Sequence, residues 1–246
     1  MPSQSPVFAF RPAAPRFAAV LAYAVAMAYV EAAAVVYLRT IYGGIDPVQP
    51  RQTPFDPLPD LLGIEVGREA ATVVMLATVG WLAAPRGAGR LGAFVAAFGA
   101  WDIFYYVFLW LFTGWPAGPL APDILFLIPL TWWGPVISPV LIALLMVVCG
   151  GLVLARDLGS GLPPPDRWAW AATVAGAAVC LGAFMADALL DLAGRSATPL
   201  ATPSGTFPWP LFGAGLTLGV VGCYRIVAAR TRRLRGRPGQ APAPGR

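Results

Sequence analysis

Leu91 to Phe112 reads LGAFVAAFGAWDIFYYVFLWLF, a run of 22 residues with one ionisable group, Asp102. A hydrocarbon core about 30 Å thick takes roughly 20 apolar residues as a helix, so this run predicts a membrane span. A carboxylate inside such a span costs about 2.5 to 3.5 kcal/mol on insertion scales, and it is expected to face inward and to be paired. The fold class follows from the span. The question about function follows from Asp102.

Outward from this run, four others have comparable length: Phe17 to Leu38, Leu62 to Ala84, Trp168 to Leu192 and Trp209 to Ala229. A sixth, Ile137 to Leu154, is slightly shorter. Composition agrees with them. The chain has 246 residues, of which 58% are apolar and 12% charged, against roughly 25% charged in a soluble domain. The expected fold is all-α, a polytopic transmembrane helical bundle of six spans. The expected division is a cytoplasmic N-terminal segment over 1–16, a membrane domain over 17–229 and a disordered basic tail over 230–246.

Arginine sets the expected orientation, because cytoplasmic flanks carry the positive excess. With the N-terminus inside, thirteen of the seventeen Arg fall on the cytoplasmic side, including the tail RTRRLRGRPGQAPAPGR, and only Arg39, Arg51, Arg68 and Arg195 lie outside. Both termini are therefore expected to be cytoplasmic. The first apolar run continues without a break into YVEAAAVVYLR, which argues for a retained span over a cleaved signal. An Arg-rich, Pro-rich and Gly-rich end after a last span reads as a disordered topology anchor, not as a nucleic-acid-binding element. The expected surroundings are a lipid bilayer and other membrane subunits.

The chain contains no Lys, no His and no Asn. Mechanisms that rest on a histidine base, a haem ligand or a zinc-binding imidazole are excluded. No metal-ligating or cofactor motif is present in the sequence, so no metal and no cofactor is expected. Cys149, Cys180 and Cys223 each lie inside an apolar run and form no C-x-x-C pair, so all three are expected to be small buried hydrophobes.

Between the third and fourth spans runs GWPAGPLAPDILFLIPLTWWGPVISP. Its apolar stretch Ile124 to Leu130 is too short to cross, and Pro122, Pro129 and Pro135 interrupt any long helix. A short interfacial helix or a re-entrant piece is expected around 123–133, with Asp123, Trp132 and Trp133 as a candidate lid over a cavity.

Helical rise converts position into depth. Glu31 lies roughly 21 Å up the first span from Phe17, and Asp102 roughly 16 Å above Leu91. GIEVGREAAT places Glu65, Arg68 and Glu69 in the first turns of the second span, and Asp187 and Asp191 close the fifth. The candidate polar cluster is thus Glu31, Arg39, Glu65, Arg68, Glu69, Asp102, Tyr105, Tyr106 and Asp187, gathered in the outer half of the bundle. Glu65, Arg68 and Glu69 share one helix face. Tyr105 and Tyr106 lie one turn from Asp102, where either phenol could donate to its carboxylate. Arg68 is the expected hub, forking to carboxylates that include Glu31 and Asp102. Gly92, Ala96 and Ala100 offer a neighbouring helix close approach.

The strings YVEAAAVVYLR, GREAATVVMLATVGWLA, WDIFYYVFLWLFTGWP and DILFLIPLTWWGPVISP resemble those of a bacterial family of small multi-pass inner-membrane proteins without an assigned activity. The resemblance covers Tyr29 to Leu145 and leaves the last two spans outside it. It implies location in the cell inner membrane and marks Glu31, Arg39, Arg68, Glu69, Asp102 and Asp123 as pattern positions.

Three functions fit these readings. The leading one is a binding or accessory component, a subunit of a larger membrane assembly, whose extracytoplasmic-side network of carboxylates and Arg is architectural, favoured because no arrangement of nucleophile, base and orienter appears. The alternative is a membrane-embedded enzyme acting on a lipid-like substrate at the outer leaflet, with Glu31, Glu69 or Asp102 as general acid or base. A proton or cation transporter ranks last, because the inner halves of the spans show nothing to continue a relay.

Overall fold

The computed structural model describes residues 13–41, 59–126, 130, 132–160, 165–192 and 206–228. The expected cytoplasmic segment up to residue 12 and the basic tail lie outside these residues. The chain runs α1 (Ala13–Ile41), α2 (Pro59–Ala83), α3 (Gly87–Thr113), β1 (Pro122–Phe126), β2 (Trp132–Pro135), α4 (Ile137–Ser160), α5 (Arg167–Phe184), α6 (Ala186–Leu192) and α7 (Trp209–Ala228). Six helices, all but α6, are long and apolar enough to cross a membrane. Their apolar character runs all round, as expected where the outer face meets hydrocarbon.

α3 lies at the centre of the first four helices and packs on α1, α2 and α4. Small residues permit this. A Cβ added at Gly92 would stand 2.8 Å from the Gly150 carbonyl of α4, so the two backbones meet almost directly. The core between these helices is built of Val20, Ala24, Ala28, Leu76, Ala93, Ala97, Trp101 and Leu154. α5 and α7 pack chiefly on each other. There Gly176 would place a Cβ 2.8 Å from the Gly215 carbonyl, so the same device serves the second group.

Several contacts tie the α5 and α7 pair to the rest. Cys149 of α4 and Cys223 of α7 form a disulfide, with Cα atoms 5.9 Å apart. This corrects the expectation of three unpaired hydrophobes. Only Cys180 is a free, buried thiol among the described residues. Each cysteine had an apolar setting in sequence, and the pairing depends on which helices become neighbours. Arg156 donates to the Val227 carbonyl nearby.

At the start of α5, the Asp166 carboxylate caps the helix by accepting from the Ala169 amide at 2.7 Å, and it pairs with Arg225 of α7 at 2.7 Å. The Arg225 hydrogen bond and the Ala169 amide hold its carboxyl below the ordinary range. α5 ends earlier than the apolar run suggests. It stops at Phe184, and after Met185 the chain restarts as α6.

The largest departure concerns residues 123–133. Of the two expected forms, a short interfacial helix or a re-entrant piece, the helix is absent among the described residues, where β1 and β2 form an antiparallel ribbon with Ile124 opposite Trp133 and Phe126 opposite Trp132. Aromatic and β-branched residues favour a pleated ribbon. Pro122 and Pro135 face each other at its base, where neither needs an amide hydrogen for the ladder. The fold is therefore a helical bundle carrying one two-stranded sheet, not strictly all-α. Phe126, the last residue of β1, stacks on Phe98 with ring centroids 6.3 Å apart. Phe98 is mid-helix in α3, roughly 22 Å from its C-terminal end, so the ribbon is turned into the bundle. Pairing between its strands satisfies backbone groups that would otherwise be stranded at that depth.

Candidate functional site

At the ribbon end of the bundle, α1, α2, α3 and β1 enclose a cavity of about 70 Å³. It is lined by Glu31 from α1, by Arg68, Glu69 and Thr72 from α2, by Trp101, Asp102, Tyr105 and Tyr106 from α3, and by residues 124–126 of β1. One water needs roughly 10 to 15 Å³ on this measure, so the space holds a few waters or one small chemical group. It is well below the 300 Å³ or so at which pockets for drug-sized molecules begin.

Helical spacing gives the α2 contribution. Arg68 stands three residues after Glu65 and donates to its Oε2 twice, from Nε at 2.9 Å and from Nη2 at 2.7 Å. Its Nη1 pairs with Glu31 of α1. Thr72, one turn further along α2 and 1% exposed, donates to the other Glu31 oxygen at 3.3 Å. α1 and α2 touch each other little compared with their contacts to α3, so these polar links supply much of what joins them.

α3 contributes differently. Tyr106 is buried and its hydroxyl donates to Asp123 Oδ2 of the ribbon at 3.0 Å. The phenol therefore serves the ribbon, and the expected hydrogen bond from Tyr106 to Asp102 is not made. Arg68 is held by Glu65 and Glu31 and does not ion-pair with Asp102. Among the described residues, Asp102 makes no hydrogen bond or ion pair, and its side chain lines the cavity. Trp101 lines the cavity beside it. That indole is 5% exposed, and its Nε1–H has no acceptor among the described residues.

The structure thus brings Glu31, Arg68, Glu69, Asp102, Tyr105 and Tyr106 to one cavity, with Glu65 behind Arg68 and Asp123 behind Tyr106. Asp187 stands apart, accepting from Trp133 Nε1 at 2.7 Å and fastening β2 to α6. Trp132 packs on Phe126, with centroids 5.4 Å apart. Of the candidate lid, β1 itself forms a wall, while Trp132 and Trp133 brace the ribbon from outside the lining. Arg39 lies in α1, and its side chain is outside the described ones, as is that of Asp191.

Four residues escaped the sequence reading, three in the cavity wall and one outside it. Thr72 was recoverable, since it stands four residues after Arg68 on the same face. Trp101 also carried a signal, being four residues before Tyr105. Phe126 depended on a strand pairing that no local pattern announces. The fourth, Asp157, belongs to the opposite end of α4. It is 1% exposed, and its Oδ2 has no partner among the described residues and lies against Gly89 in the first turn of α3. The positive end of that helix faces the carboxylate there. Between Asp157 and the cavity lies the apolar layer of Val20, Ala24, Ala28, Leu76, Ala93, Ala97 and Leu154.

Among the described residues, no group of three or more Asp, Glu, Cys or His is arranged to hold a metal ion. No family model matches the chain, and no curated protein or solved structure is similar to it.

Proposed function

We propose that this is a six-span protein of the bacterial inner membrane, with both termini cytoplasmic, that works as a binding or accessory component. Its binding site is the cavity at the ribbon end, which this orientation puts in the outer half of the membrane. The Arg distribution and the family resemblance support the placement. The observation that carries the function is Asp102. A carboxylate at that depth is costly, Arg68 is already committed to Glu65 and Glu31, and Asp102 lines the cavity with no ion-pair partner among the described residues. A purely architectural carboxylate is expected to be paired, whereas one reserved for a ligand is left available.

The second reading, a membrane-embedded enzyme on a lipid-like substrate, draws on the same residue. Asp102 beside the Tyr105 and Tyr106 phenols could act as general acid or base. A small site with no neighbouring nucleophile favours binding over it. A proton or cation pathway has less support, since the apolar layer separates the cavity from Asp157.

Native mass spectrometry of the full chain, released from its membrane into detergent, tests the binding reading. The wild type is expected to retain a small bound mass or a membrane partner that Asp102→Asn loses. A wild type free of any adduct, with Asp102→Asn indistinguishable from it in thermal stability, would leave Asp102 without a ligand and overturn the reading.

A further inference from the structure

The end of the bundle opposite the cavity carries a different balance of charge. Hydrogen bonds identify the residues that share it. Arg16 of α1 donates to the Ala83 carbonyl of α2, Arg86 to the Asp157 carbonyl of α4 and Arg156 to the Val227 carbonyl of α7, while Arg225 of α7 pairs with Asp166 before α5. Helices α1, α3 and α5 begin here and α2, α4 and α7 end here, so their dipoles offset one another. Arg16, Arg86, Arg90, Arg156, Arg167 and Arg225 therefore face only two described carboxylates, Asp157 and Asp166, and Asp166 is already taken by Arg225. The segments that adjoin these helix ends in the sequence, 1–12, 161–164 and 229–246, contain no Asp or Glu. An excess of positive charge is left at this end.

Two of these cations meet at one place. Ala83 closes α2, and its carbonyl accepts from Arg16 Nη1 at 3.3 Å, while the next carbonyl, that of Ala84, accepts from Arg90 Nε at 3.1 Å. A guanidinium has five N–H donors, and each of these spends one. Neither Arg has a buried nitrogen lacking a partner, so the spare donors open to the surface, and neither ion-pairs with a carboxylate among the described residues. The Arg90 guanidinium lies 3.7 Å over the ring of Trp81, which is 63% exposed, and Leu82 beside it is 77% exposed. At the same end Arg167 stands 5.4 Å over the exposed Trp168. Exposed Trp at the ends of spans marks the headgroup level. The corner between α1, α2 and α3 thus offers two guanidinium forks to an anion, with an apolar ledge leading from them toward the middle of α2.

We infer that this corner binds an anionic phospholipid, its phosphate bridging the Arg16 and Arg90 guanidiniums and its glycerol and first acyl carbons lying on Trp81 and Leu82. The site stands apart from the cavity and does not depend on the reading of Asp102. Paired Arg forks match phosphate oxygens, and basic pockets between spans at the membrane surface are where anionic headgroups are held. The ledge favours a lipid over a soluble anion, which would leave Trp81 and Leu82 uncovered.

Native mass spectrometry of the full chain in detergent, titrated with phosphatidylglycerol and with phosphatidylcholine of the same acyl chains, tests the assignment. The wild type is expected to hold phosphatidylglycerol at least about tenfold more tightly than phosphatidylcholine. The double variant Arg16→Gln, Arg90→Gln is expected to lose that preference, and Trp81→Ala to weaken phosphatidylglycerol about threefold. Arg16→Lys and Arg90→Lys keep the charge and lose the fork, so each is expected to cost about threefold, and they carry the test if the Gln variant does not fold. Arg167→Gln, at the same end but outside the corner, is expected to leave the affinity unchanged.

Equal binding of the two lipids would overturn the assignment. So would an unchanged phosphatidylglycerol affinity in the folded Gln variant or, where that variant does not fold, in both Lys variants. A loss in Arg167→Gln as large as in the Gln variant would show diffuse charge in place of a site and overturn it too. Hexaglutamate that displaces phosphatidylglycerol at equal concentration would pass the corner to an acidic protein segment and overturn the lipid.

Discussion

The Tyr106 hydroxyl donates to Asp123 Oδ2 at 3.0 Å, and through this bond the middle helix of the bundle holds the first strand of the ribbon against the cavity. Tyr106 is buried, so its hydroxyl depends on this acceptor for satisfaction. Tyr106→Phe is expected to cost about 1 to 3 kcal/mol, because the carboxylate loses a partner while the ring packing is kept. Asp123→Asn keeps an acceptor and is expected to cost less. Thermal unfolding in detergent, with limited proteolysis at the ribbon as a second readout, checks the order of the two variants.

Arg68 joins two helices through Glu31 and Glu65. Arg68→Ala leaves both carboxylates without their cation and is expected to destabilise the protein by about 3 kcal/mol. Glu65→Gln removes only the contact within α2 and is expected to cost about 1 kcal/mol, because the bond to α1 remains. Glu31→Gln lies between them. Unfolding in mixed micelles measures the three, and equal losses for Glu65→Gln and Arg68→Ala would show that the link to α1 contributes nothing.

Helix contact through glycine makes a sharp contrast. A Cβ added at Gly150 meets the Gly92 carbonyl and, at 2.6 Å, the Ala96 amide nitrogen, both of them backbone atoms that cannot swing aside. Gly150→Ala is expected to cost about 1 to 3 kcal/mol through forced separation of α3 and α4. At Gly67 an added Cβ meets nothing within 4 Å. Gly67→Ala is expected to be neutral or to stabilise by about 0.5 to 1 kcal/mol through helix propensity. A pair of thermal melts decides both.

The disulfide is checked by counting thiols. In denaturant without reductant, the full chain is expected to expose one reactive thiol, Cys180, and after reduction all three. Three reactive thiols before reduction would remove the bridge between α4 and α7.

Asp166 supplies the pH dependence. Its carboxyl is held below the ordinary value by Arg225 and the Ala169 amide, so the folded state binds this proton less readily than the unfolded chain does. The stability it contributes is complete above the unfolded value near pH 4 and is lost as pH falls through the lower folded value. Wild type is expected to lose thermal stability below pH 4 more steeply than Asp166→Asn. The two curves converge at the acid end.

The legibility of this chain divides along physical lines. Spans were readable because an uninterrupted apolar run of bilayer length has few other uses. Arg68 with Glu65 was readable because residues three apart share a helix face whatever surrounds them. Depth alone brought Glu31 into the same neighbourhood. The residues from Ile124 to Trp133 were not readable, since a short apolar run between prolines suits a helix turn and a strand equally, and only the partner strand decides.

By itself the sequence determined six apolar helices and a polar group of residues along them. These depend on composition and on distances along a single helix. Only the tertiary structure decided that Cys149 meets Cys223, that Tyr106 turns to Asp123 and that Asp102 keeps no ion-pair partner among the described residues. Each of those outcomes is a competition between helices for the same side chain, settled by which backbones approach closely, and no spacing within one helix records it.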